Sequence, residues 1–298
     1  MLWVFAFKIY LRMISFNEQL NLLIKNAFLE DVGDGDHSAL SCIPFDAKGK
    51  AVLKIKQEGL LAGMEIAQKI FQFKEPSSSF IAHKKDGDLM KYGEIAFEVS
   101  ASVHGILQCE RLVLNCMQRM SGIASLTKLY VDKLIGYKTK LLDTRKTTPN
   151  FRLLEKEAVR IGGGVNHRMG LYDMIMLKDN HIDYCGGIEQ AIERSYAYKE
   201  KIKPGLKIEV ETRSLSDVKK VLAAGKNKVF RIMLDNFTPD EVTEALSCIN
   251  GQMETEASGG INLDNIIDYA TTGVDYVSVG SLIHQAKSVD LSLKAVTN

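Results

Sequence analysis

The sequence predicts an α/β protein: an N-terminal α+β sandwich unit followed by a (β/α) barrel of parallel strands. Three observations carry this expectation. From residue 138 onward short apolar runs alternate with helical ones, at 139–142 then 151–161, 174–177 then 188–198, 207–211 then 215–224, 229–234 then 239–249, 253–257 then 263–271, and 276–279 then 282 onward. Successive β-then-α units of this kind build a parallel sheet. At this length a closed or nearly closed barrel is the leading arrangement, with a doubly wound open sheet as the alternative. Before that point the rhythm is absent: strand-like runs at 51–56, 80–82 and 95–101 surround one helical stretch, 64–71. Finally, charged and glycine residues gather where the later strands end, which in barrels is the face that holds the active site.

The bulk numbers are those of a globular chain with a sizeable core: 298 residues, 46% of them hydrophobic. Lys+Arg total 38 against Asp+Glu 37, a net charge of +1, so no global basic field of the nucleic-acid-binding kind exists and any cationic site is local. The cysteines at 42, 109, 116, 185 and 248 are odd in number and form no C-x-x-C pair, which argues against a disulfide framework or a zinc site and for reduced thiols in the cytoplasm.

In chain order, residues 1–14 are apolar but interrupted by Lys8 and Arg12 and lack a small-residue cleavage site. They read as an extension ahead of a start at Met13. No stretch approaches the roughly 18 apolar residues that span a bilayer. Residues 15–30 read as a helix capped by Ser15 or Asn17, with Leu20, Leu23, Ile24, Ala27 and Phe28 on one face. The acidic, glycine-punctuated loop that follows to His37 lacks the twelfth-position Glu of an EF-hand and reads as a solvated turn. A long helical region at 105–135 is expected to break near Ser121-Gly122, and its Arg111 reads by itself as a surface charge. The boundaries are then 15–120 for the first domain and 121–285 for the barrel, with the tail 286–298 expected back on the first domain.

The residues at or just past the strand ends are Asp143 and Arg145, Lys178, Glu211, Asp235 with Asn236, Ser258 with Gly259-Gly260, and Gly280 with Ser281. Taken singly, each is most simply a solvated loop residue. Their convergence is what carries information. Glu209 and Glu211 alternate along an apolar strand and so share a face; if that face is the lumen they need cationic partners, for which Arg145, Lys146, Arg168 and Lys178 are the expected supply. The Ser258-Gly259-Gly260 and Gly280-Ser281 loops precede helices at the last two strand ends, where barrels bind phosphate on backbone N–H groups. A phosphate cradle, a cluster of Arg, Lys and His, and two carboxylates together suit a substrate with several negative groups, with Glu211 and Asp235 holding Mg²⁺ or sugar hydroxyls.

Residues 143–149 (DTRKTTP), 162–168 (GGGVNHR), 170–173 (GLYD), 178–181 (KDNH), 209–211 (EVE), 234–237 (LDNF) and 258–261 (SGGI), with Thr272–Asp275 and Val279-Gly280, resemble the quinolinate phosphoribosyltransferase family, in order, from about residue 30 to about residue 284. The resemblance implies a type II phosphoribosyltransferase fold, whose barrel is incomplete and open-sided, working as a homodimer or a multiple of one. It implies transfer of phosphoribose from phosphoribosyl pyrophosphate to quinolinate with Mg²⁺ and loss of CO₂. It also implies that Arg145, His167 and Arg168, with Lys178 beside them, hold quinolinate, joined by Arg111 from the neighbouring subunit. Lys146 is implied at the pyrophosphate, Glu211 and Asp235 at the ribose and metal, and Ser258, Gly259, Gly260, Gly280 and Ser281 at the phosphates, with Lys146, Lys178, Glu211 and Asp235 the catalytic set. Asn150 departs from the family's usual Gly. A paralogous transferase using a monocarboxylate would need fewer cations, and a silent phosphosugar-binding protein would have no call for Lys178, Glu211 and Asp235 together.

Overall fold

The computed structural model describes residues 15–296. The expected extension at 1–14 lies outside the described residues. Helix α1 (Phe16–Asp31) starts at a capping box in which Ser15 and Glu18 satisfy each other's backbone N–H groups, and it buries Leu20 and Ile24. After α2 (His37–Cys42) come β1 (Lys48–Ile55), β2 (Gly59–Leu60), α3 (Met64–Lys74), β3 (Ser79–Ala82), β4 (Leu89–Met90) and β5 (Ile95–Ser102).

Then α4 (Val103–Lys133) runs unbroken for 31 residues, capped by Ser102. The expected break near Ser121-Gly122 does not occur. The glycine serves a close approach instead: a Cβ at Gly122 would lie 2.1 Å from the carbonyl oxygen of Lys287, where the returning chain crosses the helix. Beside it the Ser121 hydroxyl accepts from Ala62 N at 2.9 Å and donates to Ala62 O at 3.1 Å.

The second half comprises β6 (Lys140–Leu142), α5 (Arg152–Ile161), β7 (Ile175–Leu177), α6 (Asp179–Cys185), α7 (Ile188–Ile202), β8 (Ile208–Thr212), α8 (Leu215–Gly225), β9 (Arg231–Asp235), α9 (Pro239–Ile249), β10 (Glu254–Ser258), α10 (Ile266–Thr271), β11 (Tyr276–Ser278) and α11 (Ser281–His284). Its six strands pair in the order β6-β11-β10-β9-β8-β7, all parallel. A closed barrel would pair β6 with β7. Here they are the two edges, and the segment between them contributes one bridge, Val165 against Leu142, so the barrel is open-sided. The last strand, β12 (Leu291–Ala295), leaves this half and pairs antiparallel with β1 in a four-stranded sheet ordered β12-β1-β5-β3.

Candidate active site

The carboxyl ends of the parallel strands open on a cleft of about 910 Å³. Arg145, Lys146, His167, Arg168, Lys178, Glu211, Asp235, Ser258, Gly259, Gly260, Gly280 and Ser281 all line it. Arg111, on the exposed side of α4, does not. Strand parity explains the gathering: Glu211, Met233 and Asp235 on β8 and β9, and Glu256 and Ser258 on β10, alternate toward the same face.

One wall is cationic. Arg145 and Arg168 stand close enough that burial, followed by the charge of Arg145, pushes the Arg168 guanidinium below its ordinary pKa. Arg168 is buried and donates Nη1 to Met174 O at 3.1 Å. The Nε of Arg145 is buried with no hydrogen-bond partner. Two guanidiniums held together against their own repulsion, one with an unanswered donor, form a site for an anion with planar oxygen pairs.

Behind this wall Asp143, fully buried, pairs with Lys156 and accepts from Asn166 Nδ2 at 2.7 Å and from His167 N at 2.8 Å. Burial pushes the Asp143 carboxyl up and the Lys156 ammonium down, while their contact opposes both shifts. Asp143 therefore fastens residues 162–168 to the end of β6 and aims Arg168 into the cleft. Arg152 braces the other side, donating to Thr147 Oγ1 at 2.9 Å and Met169 O at 3.0 Å. Asn150 has φ 61°, the left-handed conformation that Gly adopts freely and Asn tolerates best among the rest, so its departure from glycine costs the loop little.

The adjoining wall, at the ends of β8 to β11, is built of glycine and acid. Gly259 has φ +91°, and a Cβ there would lie 2.1 Å from Asn236 Oδ1. At Gly280 a Cβ would meet Lys146 Cδ at 3.0 Å, so the bare backbone lets the lysine stem cross the loop. Asp235 accepts from Ser258 Oγ at 2.5 Å and from Asn236 Nδ2 at 2.8 Å. Lys178 Nζ donates to Glu211 Oε2 at 3.0 Å.

The expected supply of cations for the two glutamates is corrected in part. Lys178 does pair with Glu211, but Glu209 turns to His167 Nε2 at 3.1 Å and to Arg231 Nη1 at 3.8 Å. Glu256 completes the group, 3.4 Å from His167 Nε2 and 3.0 Å from Arg231 Nη1. The reason is register: Arg231 sits opposite Glu209 on the adjacent strand, deeper in the lumen than Arg145 or Lys146 can reach. Sequence reasoning missed Arg231 and Glu256. Their period-two spacing from Asp235 and Ser258 was the available signal.

Burial alone would lower the His167 pKa, but the two carboxylates outweigh it and hold it at about 9. The Arg168 N–H, 2.6 Å from Nδ1, favours a bare nitrogen there. The carboxylates dominate because they carry full charges in a buried cluster. Burial, then Glu256, pushes Glu209 above its ordinary range.

Fold and cleft together define a phosphoribosyl-transfer class of α/β protein, with a site for a rigid polyanion facing glycine-rich phosphate loops. Residues 36–121 match the family model described as the quinolinate phosphoribosyl transferase N-terminal domain, and residues 123–294 match its C-terminal domain. The chain belongs to the quinolinate phosphoribosyltransferase family. It is 43% identical over 291 residues to a chloroplastic nicotinate-nucleotide pyrophosphorylase [carboxylating] of Arabidopsis thaliana, covering 93% of this chain and 83% of that protein. To the probable nicotinate-nucleotide pyrophosphorylase [carboxylating] of Bacillus subtilis it is 42% identical over 275 residues, covering 92% and 93%. The crystal structure of NadC from Streptococcus pyogenes superposes with a TM-score of 0.85 at 41% identity, covering 94% of this chain and 98% of that one.

Proposed function

We propose that the cleft carries out the reaction of its family: transfer of phosphoribose from phosphoribosyl pyrophosphate to quinolinate, with loss of CO₂, giving nicotinate mononucleotide and pyrophosphate for NAD synthesis. The observation that carries this reading is the Arg145–Arg168 pair, crowded and with a buried unpartnered donor. Quinolinate bears two adjacent carboxylates on a flat ring. Guanidinium forks hold carboxylates in plane and thereby fix the ring.

A fixed ring points its nitrogen at the anomeric carbon of the sugar. The nitrogen–carbon bond forms as the carbon–oxygen bond to pyrophosphate breaks, and much of the rate gain is positioning. Lys146, whose stem crosses Gly280, meets the departing charge in this reading. The alkylated ring nitrogen is cationic and stabilises the electron pair left on the adjacent carbon when CO₂ departs, and that carbon then accepts a proton. Ser258, Gly259, Gly260, Gly280 and Ser281 receive the phosphates on backbone N–H groups and hydroxyls.

The donor set suits Mg²⁺, a hard cation that keeps much of its water and binds through one or two carboxylates plus substrate phosphates. Glu211 and Asp235 offer such carboxylates to the cleft, and their hydrogen-bonded oxygens each keep a second lone pair. They are the residues that would hold the ion, which would offset the charge of the leaving pyrophosphate.

Arg111 lies outside the cleft of its own chain, and its role is taken as donation across a homodimer interface. Mixing Arg111→Ala with Lys178→Ala subunits, each inactive alone, then restores partial activity; no recovery despite proven subunit exchange would refute the donation. Among the described residues no helix is long and apolar enough to cross a membrane. The five cysteines, all unpaired, suit a reducing compartment such as the cytoplasm.

The deciding experiment incubates the protein with phosphoribosyl pyrophosphate and Mg²⁺ plus quinolinate or nicotinate. Nicotinate mononucleotide and CO₂ from quinolinate alone is the expected result. Product from nicotinate alone would assign the cleft to a monocarboxylate, and no product from either would overturn the enzymatic reading.

A further inference from the structure

Helix α4 passes behind the cleft, and one of its side chains reaches both walls. Arg119 Nε and Nη2 donate to Glu155 Oε1 at 3.1 and 3.0 Å. Its Nη1 donates to Ala286 O and its Nη2 to Ile283 O, both at 2.7 Å. Ile283 lies in the short helix α11 and Ala286 just past its C-cap, Gln285; the helix begins directly after Gly280 in the phosphate loop. Glu155, fully buried on α5, turns its other contacts the opposite way: Oε2 accepts from Thr148 N at 2.8 Å and Oε1 from Thr148 Oγ1 at 2.9 Å. Thr148 belongs to the loop that bears Arg145 and Lys146.

We propose that Arg119 is a positioning residue for the transfer: with Glu155 it ties the loop carrying Arg145 and Lys146 to the end of α11, fixing how these two loops, side by side at the ends of β6 and β11, present to the substrate. Phosphoribosyl pyrophosphate is the substrate that must touch both, its pyrophosphate at Lys146 and its 5′-phosphate at the glycine loops. This rests on the reading of the cleft given above.

The chemistry suits the task. A guanidinium presents its donors in one rigid plane, so a single side chain can hold a carboxylate on one edge and carbonyls on the other. Lysine has the charge but not the fork. The Glu155 carboxylate, buried with no water to replace a lost partner, needs both the arginine and the Thr148 backbone. Beyond the pairing of β6 with β11, the two loops are therefore held through one buried charge pair.

The test measures steady-state kinetics of the full chain with both substrates for wild type, Arg119→Met, Arg119→Lys and Thr148→Val. Arg119→Met is expected to raise KM for phosphoribosyl pyrophosphate at least tenfold while KM for quinolinate, held on one wall, moves less than threefold. Arg119→Lys should recover part of that loss and Thr148→Val should show a smaller loss with the same split. Equal changes in both KM values, or a fall in melting temperature with the KM ratio unchanged, would overturn the strut while leaving the functional reading intact. If Arg119→Met does not fold, the split in Arg119→Lys and Thr148→Val decides in the same way. A wild type inactive on both substrates would overturn the functional reading and the strut with it.

Discussion

Replacing Arg145 by Ala separates the function of the cationic wall from its stability. Arg145 stands beside Arg168 and keeps a buried Nε without a partner, so in the empty protein it contributes repulsion and an unanswered donor. A hydrogen bond to a charged group is worth about 1.5–3 kcal/mol. Losing one such contact with quinolinate lowers kcat/KM about 10-fold to 150-fold, and losing a two-pronged contact lowers it further. The same change relieves like-charge crowding, so the melting temperature should equal or exceed that of the wild type. Arg145→Lys keeps the charge without the fork and is expected to fall between the two in activity. The assay is release of CO₂ against quinolinate concentration at saturating phosphoribosyl pyrophosphate, with thermal unfolding alongside. A kcat/KM within threefold of wild type would refute the assignment, and so would an activity loss that only tracks a loss of stability.

Three further outcomes follow from the geometry. Gly259→Ala, forced into φ +91° with its Cβ 2.1 Å from Asn236 Oδ1, should cost about 1–3 kcal/mol of stability and raise KM for phosphoribosyl pyrophosphate; unchanged values in titrations of that substrate would remove the loop from the phosphate site. Gly122→Val should destabilise the chain by about 1–3 kcal/mol or more in urea, because the Lys287 carbonyl occupies the added volume, and wild-type stability would mean that the crossing is not tight. The folded pKa of His167 is about 9 against an ordinary 6.5, so the stability it contributes is fully present below pH 6.5 and lost as pH rises through 9. Urea unfolding from pH 6 to 10 should therefore decline more steeply for the wild type than for His167→Gln, and equal slopes would mean that the imidazole is not charged in the fold.

What the sequence showed and what it concealed divide along physical lines. The parallel strands were legible because each is a short apolar run ending in a polar residue, and the cleft residues were legible because they sit at those ends. The unbroken α4 was not. A Ser-Gly pair inside a helix reads as a breaker, and only the crossing at Lys287 shows that the glycine answers a neighbour 165 positions away in sequence. Arg231 was concealed for the converse reason. It stands at the start of its strand, where an arginine is ordinarily solvated, and only the pairing with Glu209 makes it interior. Arg119 gave no signal, since a charge on a long helix is by default a surface charge and its three partners come from two distant segments.

The continuity of α4 also limits how substrates can come and go. At about 1.5 Å per residue its 31 residues make a rod of about 46 Å. It is buried in the first domain through Ile106 and Val113 and reaches the second through Arg119 and Tyr130, whose hydroxyl lies 3.3 Å from Ser281 Oγ. A stiff rod shared by both halves has no joint about which they could swing apart. Exchange then runs through the mouth of the cleft at the strand ends, and bolting the two halves together with an engineered cross-link should leave turnover untouched.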